Sequence, residues 1–127
     1  MTRRISLQEY EIIYYEDANG DKPVEEFILN LDNKMRAKVL LSINVIKELG
    51  PLARMPYSKE LEDGIFELRA KSGSNISRVL YFFIVGKKVV FTNGFIKKTQ
   101  KTPKNEILKA KRYRADYLSR KDNKHER

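Results

Sequence analysis

The chain has 127 residues, no cysteine, one histidine and a formal net charge of +9, from 26 Lys or Arg against 17 Asp or Glu. That length suits one domain (1–127) with a real core at about 10–118 and a frayed tail at 119–127. The missing thiols exclude a disulfide frame and a thiolate metal site, and the absence of a membrane-length apolar run or an apolar signal segment after Met1 leads us to expect a cytoplasmic protein with no membrane partner and no cofactor.

Tyr10-Glu11-Ile12-Ile13-Tyr14-Tyr15 is rich in aromatic and branched residues and runs into the turn-forming Asp17-Ala18-Asn19-Gly20-Asp21, which predicts a strand. Pro23 suits the first turn of a helix, and Val24, Phe27, Ile28 and Leu31 keep the spacing of one helical face. After Asp32-Asn33, a capping pair, Met35, Val39, Ile43, Ile46 and Leu49 carry a second, longer helix to the stop at Gly50-Pro51. The two make a helical hairpin, with Lys34, Arg36, Lys38 and Lys47 off the stripe and expected to be solvated.

From 52 to 59 we expect a loop, after which the period becomes alternating. Three strands are predicted, at 64–69, 77–85 and 89–95, and the short link Gly86-Lys87-Lys88 favours an antiparallel meander. In the first, Phe66 and Leu68 point one way and Glu67 and Arg69 the other. The second is almost wholly apolar after Arg78, and alternation sends Tyr81 to the opposite face, into the core. Pro103 opens a third helix, with Thr102 as its cap, Ile107, Ala110, Arg114 and Tyr117 along one face, and fraying near 119–121. His125 lies in a polar chain end, where a frayed tail is a better reading than a metal ligand. The predicted architecture is α+β, a helical hairpin on one face of a small, mostly antiparallel sheet with a basic helix closing the chain. The other sheet face is left open for function.

Charge is concentrated at one end. Residues 97–127 hold 12 Lys or Arg and 4 Asp or Glu, whereas the first 96 residues are nearly neutral. Such asymmetry points to a polyanionic partner, most simply nucleic acid, or to an acidic protein. The alternative is a solvated helix face, which is the default for Lys101, Lys104, Lys109, Lys111 and Arg112.

Gly64-Ile65-Phe66-Glu67-Leu68-Arg69, Arg78-Val79-Leu80-Tyr81-Phe82-Phe83 and Gly94-Phe95-Ile96-Lys97-Lys98-Thr99-Gln100-Lys101-Thr102-Pro103, with Glu106-Ile107 and Ala110, resemble the HigB-like host-inhibition toxins of the RelE/ParE superfamily. The likeness spans roughly residues 10–118, and its most specific part is the Phe-Ile-Lys-Lys-Thr-x-Lys-Thr-Pro core. It implies a RelE-like fold and a ribosome-dependent, metal-independent mRNA endoribonuclease that inhibits translation. It also implies partners: the ribosome, mRNA, and a helix-turn-helix, HigA-like antitoxin through which the complex binds operator DNA.

Cleavage by 2′-hydroxyl attack needs help removing a proton, positive charge on the phosphate and a donor to the leaving 5′-oxygen. Arg78, matching an arginine used by RelE-like toxins, is the candidate for the phosphate. Lys98, with Lys97 as rival, would stabilise charge or donate a proton, and Arg69 adds to binding. Glu67 is a candidate base, balanced by the reading in which it pairs structurally with Arg69 or Arg78. Phe95 is the aromatic placed to stack on a nucleotide, with Lys101, Lys104 and Lys109 as further RNA contacts. RelE itself carries a lysine before its strand arginine and a tyrosine in its closing helix, where this chain has Glu67 and Lys104. The alternatives are a ParE-like, non-nucleolytic inhibitor of DNA gyrase and a non-toxic, phage-derived binding module.

Overall fold

A computed structural model describes residues 9–97 and 101–125, with the backbone alone for 122–125. The chain runs β1 (Glu11–Tyr14), α1 (Pro23–Leu29), α2 (Asn33–Leu49), β2 (Ser58–Glu62), β3 (Ile65–Ser72), β4 (Asn75–Ile84), β5 (Lys88–Lys97) and α3 (Lys104–His125). One mixed sheet has the order β1-β5-β4-β3-β2. Strands β2 to β5 form an antiparallel meander, and β1 joins its far edge parallel to β5.

The expected loop at 52–59 is shorter than predicted, because Ser58-Lys59-Glu60-Leu61-Glu62 forms an edge strand. Its hairpin with β3 turns on Asp63-Gly64, at φ 51° and 75°, and register resumes at Glu62↔Ile65. Positive φ at both central residues is the demand of a type I′ turn, whose twist matches the strands, and Asp-Gly meets it. Strand β2 reads poorly from the sequence because it is polar: Lys59, Glu60 and Glu62 are solvent-exposed, as suits an edge.

The hairpin helices cover one sheet face. Val24 and Ile28 of α1 and Met35, Val39, Ile43 and Ile46 of α2 pack on Leu68, Val79, Tyr81, Val89 and Phe91. Asp32 caps α2, accepting from the Met35 amide at 2.8 Å. Arg36, expected in solvent, instead donates to the carbonyls of Ile28, Leu29 and Leu31 (3.1, 3.0 and 2.6 Å), satisfying acceptors at the end of α1. Tyr81 is buried on this face as alternation predicted, bonded to the Ser58 hydroxyl; burial pushes its phenol up to about 12. Gly94 also faces the helices: a Cβ there would lie 2.6 Å from the Phe27 ring.

The second face is not open. α3 lies across it, packing Ala110, Tyr113 and Tyr117 against Tyr15, Ile65, Leu80, Phe82 and Val90. Its cations help to hold it there. Arg114 donates to the Asp63 carbonyl (2.5 Å) and carboxylate (2.8 Å), and Lys111 reaches Glu62 at 2.7 Å. Arg120 bonds the Glu16 carbonyl (2.5 Å) and Asp116 (2.6 Å). The helix runs from Lys104 to His125. No helix among the described residues is long and apolar enough to cross a membrane.

Candidate functional site

One end of the sheet gathers most of the residues singled out above. Register sets Arg69 opposite Arg78, and Arg78 opposite Phe95, so alternation puts Glu67, Arg69, Arg78, Phe95 and Lys97 on the face that α3 covers. A bulge at Thr92 shifts the pairing from Leu80↔Asn93 to Tyr81↔Phe91. It turns Asn93 toward α3, where its amide donates to the Glu106 carbonyl (3.2 Å) and carboxylate (2.9 Å). The start of α3 is thereby pinned beside the end of β5, a tie the sequence did not reveal because nothing in an apolar strand marks a bulge.

Two like charges opposite each other on a sheet repel. Glu67, two positions along on the same face, offsets them: Oε1 lies 3.5 Å from Arg69 Nε and Oε2 3.6 Å from Arg78 Nη1. The Thr102 hydroxyl donates to Glu67 Oε2 and accepts from Arg78 Nη1 at 3.4 Å. Thr102 thus spends its side chain on this cluster, one residue before Pro103, and helix α3 begins at Lys104. Glu67 and Arg78 are both fully buried, whereas Arg69 keeps 13% of its side chain in contact with solvent. Burial lowers the proton affinity of Arg78, Glu67 raises it in part, and Arg69 lowers it again.

Of the two readings left open for Glu67, the structural pairing with both arginines is present. Arg78 is not on an open surface, because α3 and Thr102 close over that end of the sheet. The physical reason is the cost of leaving a guanidinium in an apolar strand without an acid, which alternation and register remove by bringing Glu67 to it. Phe95 is half-buried against the α3-side core instead of offering a free ring. Lys97, Lys101 and Lys104 are exposed, while Lys109 is half-buried and 3.8 Å from Glu106. Lys98 lies outside the described residues. Among the described residues, the solvent-facing cations at this end include Lys71, Lys97, Lys101 and Lys104.

Such a cluster can neutralise a phosphate at its rim and exchange one anion for another on its guanidiniums. Among the described residues no group of three or more His, Cys, Asp or Glu is placed to hold a metal ion.

The chain matches no curated protein. The family described as "Phage derived protein Gp49-like (DUF891)" matches residues 26–115, from α1 through most of α3. That span contains both arginines, Glu67, the motif at 94–103 and Thr102. This protein belongs to the phage-derived Gp49-like family, a toxin-like family related to the RelE/HigB-type toxins.

Proposed function

We propose that the protein is the toxin of a type II toxin-antitoxin system and acts as a ribosome-dependent, metal-independent mRNA endoribonuclease. The observation that carries this reading is the Arg69-Glu67-Arg78-Thr102 cluster, rimmed by Lys97 and Lys101 at the end of the sheet. Membership of a toxin-like family supports it.

In the resting molecule the guanidinium of Arg78 is engaged with Glu67. For Arg78 to touch RNA, oxygens of the scissile phosphate must replace that carboxylate, one anion for another on the same rigid fork. The exchange releases Glu67 Oε2 beside the bound nucleotide, where it takes the proton of the 2′-hydroxyl. The 2′-oxygen forms its bond to phosphorus, the bond to the 5′-oxygen breaks, and Lys97 supplies a proton to that leaving oxygen. The products are a 2′,3′-cyclic phosphate and a 5′-hydroxyl. Arg69 and Lys97 balance the charge on the pentacoordinate phosphate. Because the exchange breaks a buried ion pair, the free protein is slow, and the ribosome contributes by presenting the mRNA in place. A helix-turn-helix antitoxin, binding operator DNA in the complex, is the expected neutralising partner.

Primer extension on cellular mRNA after induction tests the proposal. Cuts within translated codons are expected, reduced about a hundredfold or more by Arg78→Ala, the low end for loss of one electrostatic stabiliser. Lys97→Ala, at an exposed position with no bearing on folding, should lower cleavage in the same assay. Growth arrest without any RNA cuts, accompanied by loss of gyrase supercoiling, would overturn the nuclease reading in favour of a gyrase inhibitor.

A further inference from the structure

Strand β3 outruns its edge partner. β2 pairs with β3 only as far as Ser58↔Leu68, and beyond it the Arg69 amide donates to the Tyr57 carbonyl (3.0 Å) while, among the described residues, no strand lies beside 70–72 on that side. A cleft of about 420 Å³ opens there, between α2 and the segment 55–57. Leu41, Met55, Pro56, Tyr57 and Ile76 give it a mainly apolar lining. Its charged members are Lys38, Arg69 and Lys71, all basic, with no carboxylate among the described lining residues. Leu41, Met55 and Tyr57 remain exposed (58, 56 and 37%) although they are apolar or aromatic.

Arg69 connects this cleft to the site described above. Its Nε lies 3.5 Å from Glu67, and its Nη1 lies 3.9 Å from the Met55 sulfur on the cleft side. A ligand spanning the two must be anionic where it meets Arg69 and Lys71 and flat or apolar where it meets Leu41, Met55 and Tyr57. A single-stranded nucleotide has both parts, and single-strand binding grooves combine cations with an aromatic platform in this way. An acidic peptide would satisfy the charge, but not the continuity with a phosphate held on Arg69.

We infer that the cleft is a base-binding subsite: it takes the nucleobase flanking the phosphate that sits on Arg69, stacked against Tyr57, with Lys38 and Lys71 on the neighbouring phosphates. This rests on the RNA-cleaving reading and assigns the origin of its base preference. Ser42, buried in the lining with its hydroxyl donating to the Arg69 carbonyl (3.3 Å), fixes the strand against α2 at the floor.

The experiment uses the full chain and 2′-O-methyl tetranucleotides of each base, which cannot be cleaved, followed by amide chemical shifts and fluorescence anisotropy. Shifts should concentrate at Leu41, Tyr57, Ala70, Lys71 and Ile76, with one base preferred. Tyr57→Ala should weaken binding about thirtyfold, the middle of the range for loss of one stacking partner. Leu41→Glu, at an exposed helix position, should weaken it as well and flatten the preference. Binding that shifts these amides in a protein that cuts no RNA would retain the subsite and sink the nuclease. Cleavage with an unchanged cut-site distribution in both variants would sink the subsite and retain the nuclease. Neither binding nor cleavage would remove both, and shifts produced by an acidic Leu-rich peptide but not by RNA would replace the subsite with a protein-docking groove.

Discussion

Glu67 is the residue on which the packing of the site and the proposed chemistry both depend, and a double-mutant cycle with Arg78 measures the first. Glu67→Gln keeps the shape of the side chain but removes the negative charge between two guanidiniums, one of them with no solvent exposure. Removing one member of a buried ion pair costs roughly 3–5 kcal/mol. The lower end applies here, about 3 kcal/mol, because Thr102 still accepts a hydrogen bond from Arg78 and an amide oxygen at 67 keeps a partial negative charge near it. For a domain of this length that is a fall of about 10 °C in Tm. Arg78→Met leaves Glu67 buried with Arg69 alone and should cost a similar amount. The double variant, carrying no net charge change in that layer, should recover about 2 kcal/mol relative to the sum of the singles. Urea unfolding followed by far-UV circular dichroism suits a chain with no tryptophan, and equal m-values across the four proteins would show that the comparison is of like transitions. Additivity to within about 0.5 kcal/mol would refute the claim that these two side chains form the coupled core of the site.

Gly94→Ala places a methyl 2.6 Å from Phe27 and should cost about 1–3 kcal/mol; Phe27→Leu in the same chain should restore part of it, and no loss in urea unfolding would show that α1 is not tightly seated on β5. Burial raises the phenols of Tyr15 and Tyr81 from 10.0 to about 12, with a bond to Asp116 adding to the effect at Tyr15. Both folded values lie above the unfolded one, so their stabilisation is intact below pH 10 and is lost as pH rises toward 12, and Tyr81→Phe should remove one part of the decline expected in urea unfolding between pH 10 and pH 12. Asp116, whose carboxyl is held below its usual range by Arg120 and Tyr15, acts at the other extreme: its contribution is present above the ordinary carboxylate value and disappears as pH falls through the depressed one. Lys104→Ala, at an exposed site, should leave stability unchanged and reduce the salt slope of RNA binding by about 0.7 for one lost phosphate contact, whereas Lys111→Ala, which loses the 2.7 Å pair to Glu62, should lower stability by up to about 1 kcal/mol and leave that slope alone.

Much of this molecule is decided by local pattern. The 3.6-residue spacing of Val24, Ile28, Met35, Val39, Ile43 and Ile46 forms the helical hairpin, and the period-2 alternation through 65–97 forms the meander, since each burial pattern is compatible with one backbone geometry. Alternation was also enough to assign Tyr81 to the helix-hairpin side and Arg78 to the other. The edge strand β2 leaves no apolar alternation to read because its own residues are polar, although Asp63-Gly64 is a legible signal for the turn that makes it.

The tertiary structure alone decided the rest. Which side of the sheet α3 occupies depends on Ala110, Tyr113 and Tyr117 packing on that face and on Lys111, Arg114 and Arg120 meeting Glu62, Asp63 and the Glu16 carbonyl, and no periodicity pairs residues some 50 or 100 positions apart. The burial of Arg78, the closure of Thr102 over Glu67 and the cleft beside Arg69 are consequences of strand register, of a bulge at Thr92 and of β3 being longer than β2. A cation's type and place in the chain set its charge, but its distance from an acid and from solvent determines whether that charge holds a helix, balances a neighbour or meets a phosphate, and that distance exists only once the strands are paired.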